Sequence, residues 1–177
     1  MDDITAGQFN DPRYRALPHN YIQLREALVY EWGVNGVTNR LIVPVGYIFD
    51  GASIPIVGIV ISAVLPWFDT IYPYGDHLFA TAFHDFIWQY KGRLPAGAHT
   101  ADINRQWVDA AYDKDGKPVW HFGTSNRLFA RHLRELGVGK KERRTMYLAV
   151  STPIGYVNWL TGDVPEDARP KRLPILP

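Results

Sequence analysis

Four polar side chains stand inside otherwise apolar stretches. Asp50 and Ser53 lie in Pro44-Val45-Gly46-Tyr47-Ile48-Phe49-Asp50-Gly51-Ala52-Ser53-Ile54-Pro55, and His84 and Asp85 lie in Ala82-Phe83-His84-Asp85-Phe86-Ile87. Imidazole and carboxylate are donors for a divalent ion such as zinc, which would activate a water molecule for hydrolysis. In that reading Asp50, His84 and Asp85 are catalytic, Asp50 and His84 bind the metal, and one further carboxylate completes the set. The same residues also have plain structural roles. Asp50 would cap a helix starting near Ser53, His84 would make one buried hydrogen bond with Asp50 as a candidate acceptor, and Asp85 would pair with Arg93 or Arg105. The structural reading takes precedence, because no catalytic constellation is complete. His77 and His84 share a helix face but stand about 10 Å apart along its axis, too far to bind one ion directly. The i, i+4 histidine pair of the metalloprotease helix is absent.

The elements that must position these residues can be read from periodicity. Ile22, Leu24, Leu28, Tyr30 and Trp32 share one parity, an imperfect strand alternation with helix as a competitor over Leu24 to Tyr30. Gly33-Val34-Asn35-Gly36 is a turn, with Asn35-Gly36 suited to type I′. Asn39 to Phe49 reads as a second strand, where Pro44 implies an edge position or a break. Ser53, as N-cap with Pro55 in the first turn, starts a helix over about Ile54 to Leu65. The clearest helix runs from Asp76 to Lys91 and is closed by Gly92. One of its stripes is Ala80, Phe83, Ile87 and Tyr90, and the adjacent one is His77, Thr81, His84 and Trp88.

Beyond it, Ala101 to Tyr112 is expected as a helix, with Ile103, Trp107 and Ala110 or Ala111 inward. Asp113 to Pro118 is a strong turn. It has a fragment of calcium-loop spacing but lacks the closing Glu. A helix from Thr124 or Ser125 ends at Gly137, and a last one opens at the basic run Gly139 to Arg144, with Met146, Tyr147, Val150 and Ile154 inward. That run is expected as a solvated face. Pro153 should kink or end the helix.

The chain has 177 residues, enough for one domain with a buried core. The expected division is an N-terminal arm over 1–20, a globular domain over 21–160 and a proline-rich tail over 161–177. A composition 46% hydrophobic and 21% charged places it among globular rather than disordered chains. A net charge of +1 gives no general electrostatic case for nucleic acid. With no Cys, thiolate catalysis and Cys zinc sites are excluded. The apolar stretch Ala52 to Phe68 is interrupted by Pro55 and Pro66 and falls short of the ~20 residues that span a bilayer. The acidic start Met1-Asp2-Asp3 is not expected to be a secretory signal. Six Trp and ten Tyr are an excess that suits contact surfaces.

Val43 to Pro55, then Ala82 to Ile87, resembles a family of phage and prophage proteins known as domain of unknown function 1353. Its pattern ends in a Gly-Val turn, a Met-Tyr-x-Ala-Val helix and a late Gly-x-x-x-Trp. Here these are Gly137-Val138, Met146 to Val150 and Gly155 to Trp159. The match covers about Val37 to Trp159. It implies a phage or prophage source and no particular reaction. One departure is that the family's helical Asp falls at Asn126, unless Ala101-Asp102 fills that role. If the Asp is replaced, a three-donor metal site is weakened.

The expected fold is α+β, a small antiparallel N-terminal sheet packed against four or five helices, with extended proline-containing ends. The expected function is that of a non-enzymatic contact protein, needing no cofactor. It would work in the virion or in the host cytoplasm, with other phage proteins or a host protein as partner and a homo-oligomer left open. The alternative is a metal-dependent hydrolase, acting on a substrate such as cell wall, at Asp50, His84 and Asp85.

Overall fold

The structure, a computed structural model, describes residues 5–18, 21–50 and 77–161. Among them lie strands β1 (Gln8–Phe9), β2 (Tyr14–Ala16), β3 (Tyr21–Leu24), β4 (Leu28–Val34), β5 (Val37–Val43), β6 (Ile48–Asp50), β7 (His99–Ile103) and β8 (Gln106–Asp109). The helices are α1 (Leu78–Gln89), α2 (Phe122–Glu135), α3 (Lys140–Val150) and α4 (Pro153–Thr161). The helix expected near Ile54 to Leu65, with its Ser53 cap, and all but the first residue of the tail expected over 161–177 lie outside the described residues.

The alternation over Tyr21 to Trp32 belongs to β3 and β4, and Ile22, Leu24, Leu28, Tyr30 and Trp32 all point into the core. Helix loses over this stretch because every second side chain finds the same apolar face. Asn35 and Gly36 both have positive φ, +50° and +78°, so a two-residue turn joins β4 to β5 in full register from Leu28↔Val43 to Val34↔Val37. Pro44 ends β5. The chain turns through Val45 and Gly46 and enters the second sheet as β6, which pairs with β3.

The expected architecture is overturned. Two antiparallel sheets are present, one ordered β1-β4-β5-β7-β8 and one β2-β3-β6. The larger takes strands from both halves of the chain, so it is neither small nor confined to the N-terminal third. The helix expected over Ala101 to Tyr112 is instead the hairpin β7–β8. Asn104 and Arg105 carry φ of +55° and +63° and make its tight turn. Ile103 and Trp107, expected to be inward, are exposed. Asparagine accepts left-handed backbone, and the flanking Thr100, Ile103, Trp107 and Val108 suit a pleated surface. The result is roughly α+β, with sheet before helices.

The helices pack on the sheet core through α1, whose Leu78, Ala82, Phe83, Phe86 and Ile87 join Leu28, Tyr30 and Leu41. A smaller cluster of Ala80, Phe129, Leu133, Val138 and Met146 binds α1, α2 and α3. α3 ends at Val150 and Pro153 opens α4, where its missing N–H costs nothing. Gly155 and Trp159 form the buried face of α4. A Cβ on Gly155 would stand 2.5 Å from the Val150 carbonyl oxygen, and the Trp159 ring meets Trp88 edge-on at 5.7 Å. The late Gly-x-x-x-Trp is therefore a packing motif. Ile154, expected to be inward, is more than half exposed.

Candidate functional site

His84 sits on the buried face of α1, turned toward α2. Its Nε2 lies 3.1 Å from Asn126 Oδ1. Asn126 is itself buried, and its Nδ2 donates to the Val150 carbonyl at 3.2 Å and more weakly to Ser151 Oγ at 3.4 Å. Those donations orient the amide with its oxygen toward His84, so Nε2 carries the hydrogen. One side-chain chain thus links α1, α2 and the C-terminal end of α3. The imidazole is flanked by Trp88 and Phe129, each with ring centroids 4.7 Å away.

The other ring nitrogen, Nδ1, faces Asp85 Oδ1 at 3.5 Å, long for a hydrogen bond. Asp85 is about one-quarter exposed, but the exposure is not shared evenly, because Oδ2 is buried and has no hydrogen-bond partner. Burial raises the Asp85 carboxyl above its ordinary range, against a smaller lowering by His84. Nδ1 therefore faces a carboxyl whose burial works against its charged form.

Of the residues expected at the site, the structure brings His84 and Asp85 together and adds Asn126. Asp50 ends β6 with its backbone paired to Tyr21, and its side chain and Ser53 lie outside the described residues. Among the described residues His84 meets Asn126, and the contact considered between His84 and Asp50 falls on a side chain outside them. The two ion pairs considered for Asp85, with Arg93 or Arg105, are replaced by the contact with His84. Of the two positions considered for a helical Asp, Asn126 stands beside His84 on α2 and Asp102 lies on β7. Among the described residues no group of three or more His, Asp or Glu is close enough to hold a metal ion. For His84 to offer Nε2 to an ion, it would have to give up its bond to Asn126 Oδ1.

Three further polar groups escaped the sequence reading. His132 on α2 is fully buried among Phe9, Tyr30 and Phe83, with no hydrogen-bond partner for either ring nitrogen. Burial, with Arg131 and His84 nearby, holds it neutral, well below the usual histidine range. His99 stacks on Trp32 at 5.5 Å and leans on Trp120 at 5.2 Å. Burial pushes it down to about 4, against a weaker upward pull from Asp109. Third, Glu135 accepts from Gly7 N at 3.0 Å, Arg131 Nε at 2.8 Å and Tyr30 OH at 2.7 Å. Burial would raise this carboxyl, but those three donors together hold it below its ordinary value. Nothing local in the sequence announces a network that joins residues 7, 30 and 135.

No curated protein and no solved structure matches the chain. A family's sequence profile matches residues 22–150, from the first buried residue of β3 to the last residue of α3. The chain, with its His84-Asp85 pair on α1, belongs to that family, DUF1353, whose members are described as proteins of unknown function.

Proposed function

We propose that this is a phage-encoded contact protein, a component of the particle that works by binding another particle protein rather than by catalysis. The phage source rests on the motif resemblance. The contact role rests on one observation, the outer face of α4. Pro153 to Thr161 contains no charged residue, and Ile154, Val157 and Leu160 are each more than half exposed, with Tyr156 close to half. Leu148 on α3 adds to the apolar exposure at this end of the chain. A soluble domain seldom leaves so much aliphatic surface on one short helix unless a partner covers it. An uncharged helix face offers little to nucleic acid or to a charged substrate and fits an apolar protein surface.

The hydrolase reading keeps one observation on its side, the buried, unpartnered Asp85 Oδ2 beside His84. Two measurements separate the readings. Mass spectrometry of purified particles should find the protein at fixed stoichiometry. Val157→Asp with Leu160→Asp should remove it from particles while circular dichroism stays unchanged. Absence of the wild type from particles would sink the contact reading. One zinc ion held by the wild type and lost in His84→Ala would favour hydrolysis instead.

A further inference from the structure

The five-stranded sheet has two unlike ends. At one end β1 is only two residues long, and the preceding Gly7 N–H is taken by Glu135 of α2. At the other end, among the described residues, β8 closes the strand order with all four of its residues exposed. Strand edges left in this way offer a row of backbone donors and acceptors to another extended strand.

The hairpin register says which groups face out. Ala110 N donates to His99 O at 2.8 Å, so Ala110 faces β7, and by alternation so do Val108 and Gln106. The N–H and C=O of Trp107 and Asp109 therefore point away from the sheet. Cross-strand partners share a face, and the register Glu31↔Arg40↔Thr100↔Asp109 puts Asp109 and Trp107 on the side opposite the core. There the Arg40 guanidinium lies 3.9 Å above the Trp107 ring and pairs with Glu31 at 2.6 Å. The tryptophan is held in place rather than loose.

We infer that β8 pairs antiparallel with β8 of a second copy of this chain, about a two-fold axis at Trp107, joining two five-stranded sheets into one of ten. The charge pattern selects both the partner and the register. Centring on Trp107 makes it a hydrogen-bonded pair with its own copy and sets Arg105 opposite Asp109 of the other chain, twice. Centring one residue later sets Trp107 against Asp109 and leaves Arg105 facing Ala111. Asp109 already accepts from Gly97 N at 3.0 Å and Ala111 N at 2.9 Å, one bond on each oxygen. A carboxylate has room for a further donor on each. On the core side Val108 would meet Gln106 of the copy and lose its exposure. The surface is on different elements from the α4 face, so the dimer goes beyond the proposed function and can fail without it.

The test is analytical ultracentrifugation of the full chain over a wide concentration range. The expected result is a monomer–dimer equilibrium that shifts toward monomer as salt rises. Trp107→Pro removes an outward N–H that the hairpin does not use and should abolish the dimer. Arg105→Asp should do the same, by setting Asp against Asp. Asp109→Arg alone should also be monomeric, and mixing it with the Arg105→Asp chain should restore a one-to-one dimer, since both cross-pairs are then complementary. Asp109→Arg loses the ties to Gly97 and Ala111. If circular dichroism shows it unfolded, Trp107→Pro and Arg105→Asp decide the matter. A wild type that is monomeric at every concentration, or a dimer that both of those variants leave intact, overturns the inference. Neither result touches the α4 reading, which the particle measurement decides.

Discussion

His99 and His132 are both buried with unpartnered ring nitrogens, and aromatic rings stand where acceptors would be needed. Their neutral forms pack as flat, weakly polar rings, and burial works against their charged forms. The consequence can be read in acid. The His99 folded-state value of about 4 lies below the ordinary 6.5, so the unfolded chain binds its proton first as pH falls. Its stabilisation is whole above about pH 6.5, erodes between there and about pH 4, and stays lost below. Two and a half pH units correspond to about 3 kcal/mol. His99→Phe, which keeps the stack on Trp32 and Trp120, should flatten that part of the stability profile. Urea titrations from pH 7.5 to pH 4 check this, and an unchanged slope would mean His99 is not the titrating group. At this scale the sequence shows residue types but not their partners. His84 and Asp85 stood out as polar residues in an apolar run, while Asn126 drew attention only as a departure from a pattern. That His84 reaches Asn126 depends on how α2 crosses α1, which no local spacing encodes.

Elements were legible where a local rule had no competitor. The Asn35-Gly36 turn needs positive φ at both positions and has the residues for it, and α1 closes at Gly92 as its pattern requires. The β7–β8 hairpin was misread because Ile103, Trp107 and Ala110 or Ala111 also satisfy a helical spacing, and Asn104-Arg105 is a weaker turn signal than Asn-Gly. Sheet pairing with β5 settles the matter, and that pairing is tertiary. Helix ends give a matched test of how much of a glycine's role is local. Gly92 after α1 and Gly137 after α2 have nearly the same φ, +74° and +79°. A Cβ at Gly137 meets nothing within 4 Å, whereas one at Gly92 would fall 1.6 Å from the Trp120 carbonyl oxygen. Gly137→Ala should therefore cost about 1 kcal/mol, the penalty of left-handed backbone alone. Gly92→Ala should cost on the order of 3 kcal/mol or more, because backbone must move as well. Equal losses in the two variants, measured by chemical denaturation, would show that the Gly92 approach relaxes freely.

Across the whole molecule, the first residues act as a clasp between sheet and helix. Phe9 lies over Tyr30, Phe83 and His132, with ring centroids 4.7, 6.1 and 5.0 Å away. Gly7 and Tyr30 both donate to Glu135, while Arg131 reaches back to the Thr5 carbonyl and across to Glu135. β1 adds a strand to β4 on the same stretch. The start of the segment expected as an N-terminal arm is thus tied at three levels, by backbone pairing, aromatic packing and a half-buried carboxylate. Two paired residues are too few to show a strand period in the sequence. Deleting residues 1–9 removes Phe9 from the core, one of the three donors around Glu135 and the Thr5 carbonyl that Arg131 meets, so the thermal midpoint should fall by on the order of 10 °C, since each kcal/mol shifts a domain of this size by about 2–4 °C. Glu135→Ala should lower it by less, because Phe9 stays. The two changes share partners, so the double variant should lose clearly less than the sum of the single losses. Strict additivity in differential scanning calorimetry would mean that the strand and the carboxylate act independently, and a deletion that shifts the midpoint by under about 2 °C would show that the clasp carries no weight.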